Sequence, residues 1–184
     1  MSADSLVSPK ATARFVVTLP PEPSKLGDAL RADVASGYSS LTSTSDAFRH
    51  IALKAKSRFV IMIPYVDVVG AEWALELFEL TEAEEKTLVL RDASQLSACG
   101  AFGTRINQVA DVRDYGSAND SSSEADETFH AKIVLADGVA AYVGSANLLR
   151  RSKGINLECG MLVEGPAVRA IKLVVDAVLK TFER

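Results

Sequence analysis

From residue 130 to residue 149 the chain reads HAKIVLADGVAAYVGSANLL, which is two apolar runs on either side of Asp137-Gly138. An Asp-Gly pair between two such runs is a strong sequence signal for a β-hairpin. We therefore predict two neighbouring strands, Phe129–Ala136 and Val139–Val143, joined by a tight turn.

Short apolar runs and helical patterns alternate along the rest of the chain. The run RFVIMIPY, from Arg58 to Tyr65, is nearly continuous and apolar, a pattern typical of strands buried on both faces of a sheet. Further strands are predicted at Arg14–Leu19, Thr87–Leu90 and Val109–Tyr115 and from Gly160, and helices at 26–35 and 45–56, around Trp73 and Leu80, and from Val168 to Phe182. The alternation predicts an α/β fold with a mixed, mostly buried β-sheet flanked by helices on both faces.

The length of 184 residues suits one domain that needs no disulfide or structural metal for its core. We predict a loose tail over 1–13, a single domain over 14–184 and an acidic flexible loop over 116–128. Cys99 and Cys159 lack C-x-x-C spacing and fit a reducing compartment. Because we find neither a membrane-length apolar run nor a signal-peptide pattern, we expect a cytoplasmic protein without stable membrane insertion.

The residues with chemical potential lie at the two ends of the predicted hairpin. His130 and Lys132 are two apart, so on a strand both side chains point to the same side. The returning strand ends at Gly144, Ser145 and Asn147. An ammonium and a carboxamide suit the binding of a phosphate group, and an imidazole acts as a nucleophile or a proton donor near neutral pH. The hairpin predicts a phosphate site only if its register brings these ends together.

These residues follow a known signature. The chain resembles the phospholipase D superfamily, whose motif H-x-K-x4-D-x6-G-S-x-N it matches at every fixed position, from His130 to Asn147. The downstream Arg151-Ser152 and Asn156-x-Glu158 also fit the family pattern. The resemblance implies hydrolysis of a phosphodiester through a covalent phosphohistidine, with no metal and no cofactor.

The resemblance also assigns roles to individual residues. His130 is expected to be the nucleophile or the acid, and Lys132 and Asn147 are expected to hold the phosphate, with Ser145 close by. Glu158 is expected to accept a hydrogen bond from His130 and so to fix the orientation of the imidazole. The signature occurs only once in the chain. Single-motif members of the family complete their site by dimerising, so we expect a homodimer with two copies of His130 in one site.

Three further residues have weaker support. Asp137 belongs to the motif and is a candidate catalytic residue, although a role in the hairpin turn is favoured. Arg150 and Arg151 directly follow the phosphate-binding turn, where they either steer a polyanionic substrate or form an ordinary solvated surface.

The resemblance favours a nuclease acting on DNA or RNA, because that activity fits the small single-motif members of the family best. The formal net charge of −4 argues mildly against an indiscriminate nucleic-acid binder. It fits an enzyme recruited by a partner protein, such as a component of a bacterial phage-defence system. Two alternatives stay open: a phospholipid phosphodiesterase or phosphatidyltransferase, and a non-catalytic scaffold that binds phosphodiesters.

Overall fold

The computed structural model describes residues 10–34, 42–118 and 128–183. Its centre is a seven-stranded sheet with the order β1-β7-β6-β5-β2-β3-β4. The strands are β1 (Thr12–Thr18), β2 (Arg58–Met62), β3 (Glu85–Leu90), β4 (Asp111–Asp114), β5 (Ile133–Ala136), β6 (Ala140–Gly144) and β7 (Glu158–Glu164). The predicted flexible loop lies mainly at 119–127, and most of the predicted tail lies at 1–9. Both segments fall outside the described residues.

The sheet is mixed, and its topology brings the strand ends of the motif together. Strands β2, β3 and β4 run parallel to one another, whereas β5 is antiparallel to β2, and β6, β7 and β1 each reverse direction in turn. The carboxyl ends of β2, β3, β4 and β6 therefore share one edge with the amino ends of β5 and β7. We call this the active edge.

Helices cover both faces of the sheet, which confirms the predicted fold class. The helices are α1 (Lys25–Val34), α2 (Thr44–Lys54), α3 (Val68–Leu80), α4 (Gly100–Val109), α5 (Tyr115–Ala118), α6 (Arg150–Gly154) and α7 (Val168–Lys180). On one face, α2, α3 and α4 bury a large apolar cluster around Phe48 and Trp73, whose rings stack at 4.8 Å. On the other face, α7 buries a smaller cluster around Val60 and Val175.

The predicted hairpin forms, with its second strand at Ala140–Gly144 rather than Val139–Val143 and with a shorter first strand. Its turn residues Asp137 and Gly138 have φ angles of 52° and 111°, as a tight hairpin turn requires. Strand β5 starts at Ile133 rather than Phe129, because β6 ends at Gly144 and offers no ladder partner beyond that point. Residues 128–132 are left as a non-strand segment at the active edge.

Two absences hold for the described part of the chain. No helix there is long and apolar enough to cross a membrane. In the same residues, no three His, Cys, Asp or Glu side chains form a group that could hold a metal ion.

Candidate active site

The imidazole and the ammonium of the motif are in direct contact at the active edge. His130 precedes β5 and is exposed, whereas Lys132 is only 3% exposed. The Lys132 Nζ donates a hydrogen bond to the His130 carbonyl oxygen at 2.6 Å and lies 2.8 Å from the His130 Nδ1. The arrangement places an exposed imidazole, both of whose ring nitrogens lie within 3.2 Å of the Lys132 Nζ, next to a buried ammonium.

A buried carboxylate accompanies the buried ammonium. Glu158, the first residue of β7, is 5% exposed. Burial lowers the pKa of Lys132, and the charge of Glu158 opposes that shift by raising it. Electrostatic interactions are stronger in such poorly solvated surroundings than in water. The buried ammonium of Lys132 therefore has a buried carboxylate of opposite charge near it.

The turn after β6 owes its shape to a ring packed beneath two glycines. A Cβ atom on Gly144 would lie 2.2 Å from the Tyr142 hydroxyl oxygen and 2.6 Å from the Cys159 carbonyl oxygen, and one on Gly160 would lie 2.3 Å from the Tyr142 ring. Any larger residue at position 144 would displace the turn. The Tyr142 hydroxyl also accepts a hydrogen bond from the Ala146 backbone N–H at 3.4 Å. Tyr142 and Gly144 thus fix the backbone that carries the next motif residues.

Ser145 ties this turn to Glu158. Its hydroxyl donates a short hydrogen bond to the Glu158 carboxylate and accepts one from the Cys159 backbone N–H at 3.1 Å. Ser145 therefore orients Glu158.

Asn147 has unused hydrogen-bonding capacity at the site. Its backbone N–H donates to the Ser152 hydroxyl at 3.2 Å, which secures the turn against α6. Its buried side-chain oxygen has no hydrogen-bond partner within residues 10–34, 42–118 and 128–183. A buried polar group without a partner costs free energy. This oxygen can accept a hydrogen bond from a donor that arrives with a substrate or with a second chain, whereas only the amide N–H of the same side chain could donate to a phosphate oxygen.

The expected hydrogen bond between His130 and Glu158 does not form within a single chain. The two Glu158 oxygens accept hydrogen bonds from Ser145 and, at 3.3 Å, from the Asn156 side chain. The exposed His130 imidazole instead contacts Lys132. In one chain Glu158 acts on the site through the charge that it places near Lys132.

Asp137 lies away from the other motif residues. It occupies the hairpin turn at the far end of β5, about 15 Å along the strand from Lys132. Its carboxylate accepts hydrogen bonds from the backbone N–H groups of Lys56, Ser57 and Arg58, at 2.8, 3.1 and 2.6 Å. These contacts fix the start of β2, so the structure gives Asp137 the role of a turn residue rather than a place at the site.

Arg150 and Arg151 begin α6, three and four residues after Asn147, and both are exposed. The Arg150 backbone N–H donates to the Asp67 carboxylate at 2.9 Å. Neither guanidinium forms an ion pair with any residue that the structure describes. Both side chains thus remain available to an anionic ligand.

The structure adds two residues that we did not predict from sequence. The Tyr65 ring packs edge-to-face on the His130 ring, with 6.2 Å between the centroids. The Arg91 guanidinium donates to the Tyr65 hydroxyl at 3.0 Å. Both residues follow parallel strands at their carboxyl ends, where ligands bind in open α/β sheets. That rule was the signal available in the sequence.

Comparisons with known proteins identify the family of this chain and proteins that share its fold. The family model described as "Cardiolipin synthase, PLD-like domain" matches residues 49–184. Nuc, a phospholipase D family member from Salmonella typhimurium, superposes with a TM-score of 0.55 at 13% identity, covering 95% of each chain. NucT from Helicobacter pylori gives 0.57 at 12% identity, covering 95% of this chain and 97% of its own.

A larger enzyme also shares the fold. Phosphatidylserine synthase from Haemophilus influenzae gives a TM-score of 0.56 at 16% identity, and the match covers 97% of this chain but 40% of the synthase. The sequence matches no curated protein. The family model, which spans most of the chain and its motif, places this protein in the phospholipase D superfamily of PLD-like phosphodiesterases.

Proposed function

We propose that the chain is a metal-independent phosphodiesterase that works through a covalent phosphohistidine at His130. An imidazole nitrogen forms a bond to phosphorus as the bond to the leaving oxygen breaks, and that oxygen takes a proton from a second imidazole. The second imidazole then removes a proton from water, whose oxygen displaces His130 and releases the product. The observation that carries this proposal is the exposed imidazole of His130 in contact with the buried ammonium of Lys132.

Lys132 and Asn147 are the groups that stabilise the reacting phosphate in this mechanism. The ammonium is held in a poorly solvated place, where its charge acts strongly on the phosphoryl oxygens. The Asn147 carboxamide supplies a neutral donor. Ser145 and Glu158 act as positioning residues, because they fix the turn and the charge around these two groups.

The described fold brings no second imidazole to the active edge. The chain has two histidines, and the other one is His50. The His50 Nε2 lies 3.0 Å from the Glu164 Oε1, at the end of the sheet opposite the active edge. A homodimer that brings two copies of His130 together would complete the site.

An apolar stripe on α7 supports the homodimer. The inner side of this helix is buried through Val168 and Val175. Its outer side carries Ala170, Leu173, Val174 and Ala177 at helical spacing, and all four are exposed, Leu173 to 69%. A contiguous exposed apolar patch of this kind is typical of a surface that another molecule covers.

An uncovered part of the sheet continues this apolar surface. A row of three exposed side chains crosses β1, β7 and β6, because Met161 pairs with Phe15 on one side and with Val143 on the other. Met161 lies two residues from Val163, which packs in the core beneath α7, so the row is on the same face as that helix. We call the outer stripe of α7 and this row the α7 surface. We propose that a second copy of the chain covers it.

A nuclease is the favoured activity. The two neighbours matched over nearly their whole length, Nuc and NucT, are chains of similar extent, whereas the matched part of phosphatidylserine synthase is less than half of that enzyme. The description of the matching family model favours a second candidate, a phospholipid phosphodiesterase or phosphatidyltransferase. Recruitment by a partner of a defence system remains a prediction from the sequence.

The experiment is cleavage of labelled single-stranded DNA, double-stranded DNA and RNA in excess EDTA, with anionic phospholipid vesicles as a parallel substrate. His130→Ala should abolish turnover. His50→Ala is the matched control, because it removes the other imidazole far from the site, and it should retain activity. Nucleic-acid cleavage by the wild type and the control supports a nuclease, and headgroup release alone supports the lipid enzyme. Activity that EDTA abolishes and magnesium or zinc restores would overturn the mechanism.

A further inference from the structure

Tyr65 and Arg91 form a hydrogen-bonded pair next to the proposed nucleophile. Tyr65 follows β2 and is half-buried, with its ring edge-to-face on His130. Arg91 follows β3 and is exposed. The backbone of Arg91 is fixed on both sides: its N–H donates to the Pro64 carbonyl oxygen at 3.4 Å, and its carbonyl oxygen accepts from the Gly116 N–H at 3.0 Å. One aromatic ring thus lies between the Arg91 guanidinium and the His130 imidazole.

The Arg91 guanidinium makes few contacts with the described part of the chain. It donates one hydrogen bond, to the Tyr65 hydroxyl at 3.0 Å, and it makes no ion pair with any described carboxylate. By contrast, Arg58 at the opposite end of the sheet is held by Asp176 at 2.6 Å. A guanidinium has five donors in a planar fork. Within the described residues, Arg91 therefore keeps most of its donors free beside the site.

The Tyr65 ring limits where a substrate can lie. Because the Tyr65 ring contacts both His130 and Arg91, a strand bound to both of these side chains would pass along the ring. Aromatic side chains combined with cations that follow the backbone are the usual elements of binding sites for single-stranded nucleic acids. A guanidinium is also the side chain best suited to bind a phosphate through two parallel hydrogen bonds.

We propose that Tyr65 and Arg91 bind the nucleotide adjacent to the scissile phosphate: Arg91 binds the neighbouring phosphate, and the Tyr65 ring contacts the intervening sugar or base. This inference rests on the proposed function, since it assumes that His130 marks the reacting phosphodiester. It gives the substrate class as a single nucleic-acid strand with consecutive phosphates. A small diester with one phosphate would occupy the site of Lys132 and Asn147 and leave Arg91 empty.

Binding tests this pair without relying on turnover. In His130→Ala protein, the affinity for a fluorescent single-stranded oligonucleotide is measured by anisotropy, with Arg91→Ala or Arg49→Ala added. Arg49 is an exposed arginine on α2 and is the matched control for charge. Loss of one charged phosphate contact should weaken binding about ten- to a hundredfold. The slope of log affinity against log salt should fall by about 0.7. Arg49→Ala should change neither quantity appreciably.

A second variant separates the ring from the cation. Tyr65→Phe keeps the ring and removes the hydroxyl that holds Arg91, so it should weaken oligonucleotide binding less than Arg91→Ala does. Tyr65→Ala also removes the platform and should weaken binding more than Tyr65→Phe.

Cleavage assays show whether the pair acts on binding or on chemistry. With bis(p-nitrophenyl) phosphate, which has one phosphate, Arg91→Ala should have the wild-type kcat/KM. With the oligonucleotide, its kcat/KM should fall about ten- to a hundredfold. An equal loss on both substrates would overturn the proposal, because Arg91 would then act on the chemical step.

Three results in the binding assay would also overturn it: equal affinities of the Arg91→Ala and Arg49→Ala proteins, no oligonucleotide binding at low salt, or binding to anionic phospholipid vesicles in place of the oligonucleotide. If the wild type cleaves no diester at all, the proposed function fails, while the binding comparison still decides the role of Tyr65 and Arg91.

Discussion

Replacing Leu173 by aspartate tests the proposed dimer at its most exposed apolar side chain. Complete burial of a leucine contributes about 1.5–3 kcal/mol. Because 69% of Leu173 is still exposed in one chain, its burial in a dimer contributes about 1–2 kcal/mol. A two-fold dimer buries both copies, so the variant should lose about 2–4 kcal/mol, before any cost of burying a carboxylate. The dissociation constant of the dimer should therefore rise about 30- to 1,000-fold.

Sedimentation velocity over a range of protein concentrations measures this change. Leu53→Asp is the matched control, because Leu53 is 56% exposed but lies on α2, on the other face of the sheet. The account predicts that Leu173→Asp dissociates and loses activity at concentrations where the wild type is dimeric, and that Leu53→Asp stays dimeric and active. A monomeric wild type that is fully active, or equal dissociation constants for both variants, would refute the reasoning.

Three further predictions concern stability and the chemical step. Burial raises the pKa of Glu164, but hydrogen bonds from His50 and Lys54 and their charges outweigh it and lower this pKa to about 2. This cluster should therefore add about 1–2 kcal/mol to the free energy of unfolding above pH 4.5, and the gain should be lost as the pH falls from 4.5 towards 2. In urea titrations at several pH values, the stability of Glu164→Gln should depend less on pH over this range. A pH dependence equal to that of the wild type would contradict the assignment. Gly144→Ala should cost about 1–3 kcal/mol of unfolding free energy from steric overlap, as thermal denaturation measures, and a variant as stable as the wild type would show that the turn is not constrained. Lys132→Met keeps the side-chain length and removes the charge, so kcat should fall about 10²–10³-fold with the circular dichroism spectrum retained, and a kcat near that of the wild type would exclude Lys132 from charge stabilisation.

Local sequence rules predicted the hairpin and the layers of the fold well. The Asp-Gly turn, the buried run that became β2 and the apolar side of α7 each depend on neighbouring residues, so their patterns are readable in the sequence. Helix α4 and the 3-10 turn at Ala93–Cys99 were not predicted. They pack where Gly103 meets the Leu96 carbonyl oxygen so closely that a Cβ would lie 2.0 Å away, a tertiary contact without local periodicity.

The candidate site, too, was predictable only where it depends on residues that are neighbours in the sequence. The motif predicted that His130 and Lys132 would be together, because two-residue spacing is a local property of the chain. The partners of Glu158 could not be read in this way, since its contacts with Ser145 depend on the register between β6 and β7. The sequence indicates that Tyr65 follows a strand, but its place beside His130 depends on the pairing of β2 with β5, which is not readable from local patterns.

Detection of the covalent intermediate tests the central claim most directly. The wild type is mixed with bis(p-nitrophenyl) phosphate in excess EDTA, quenched under alkaline denaturing conditions and analysed by intact-protein and peptide mass spectrometry. The account predicts a p-nitrophenyl phosphate adduct on the peptide that contains His130, present in His50→Ala and absent in His130→Ala. Turnover without any adduct, or an adduct on a different residue, would contradict it.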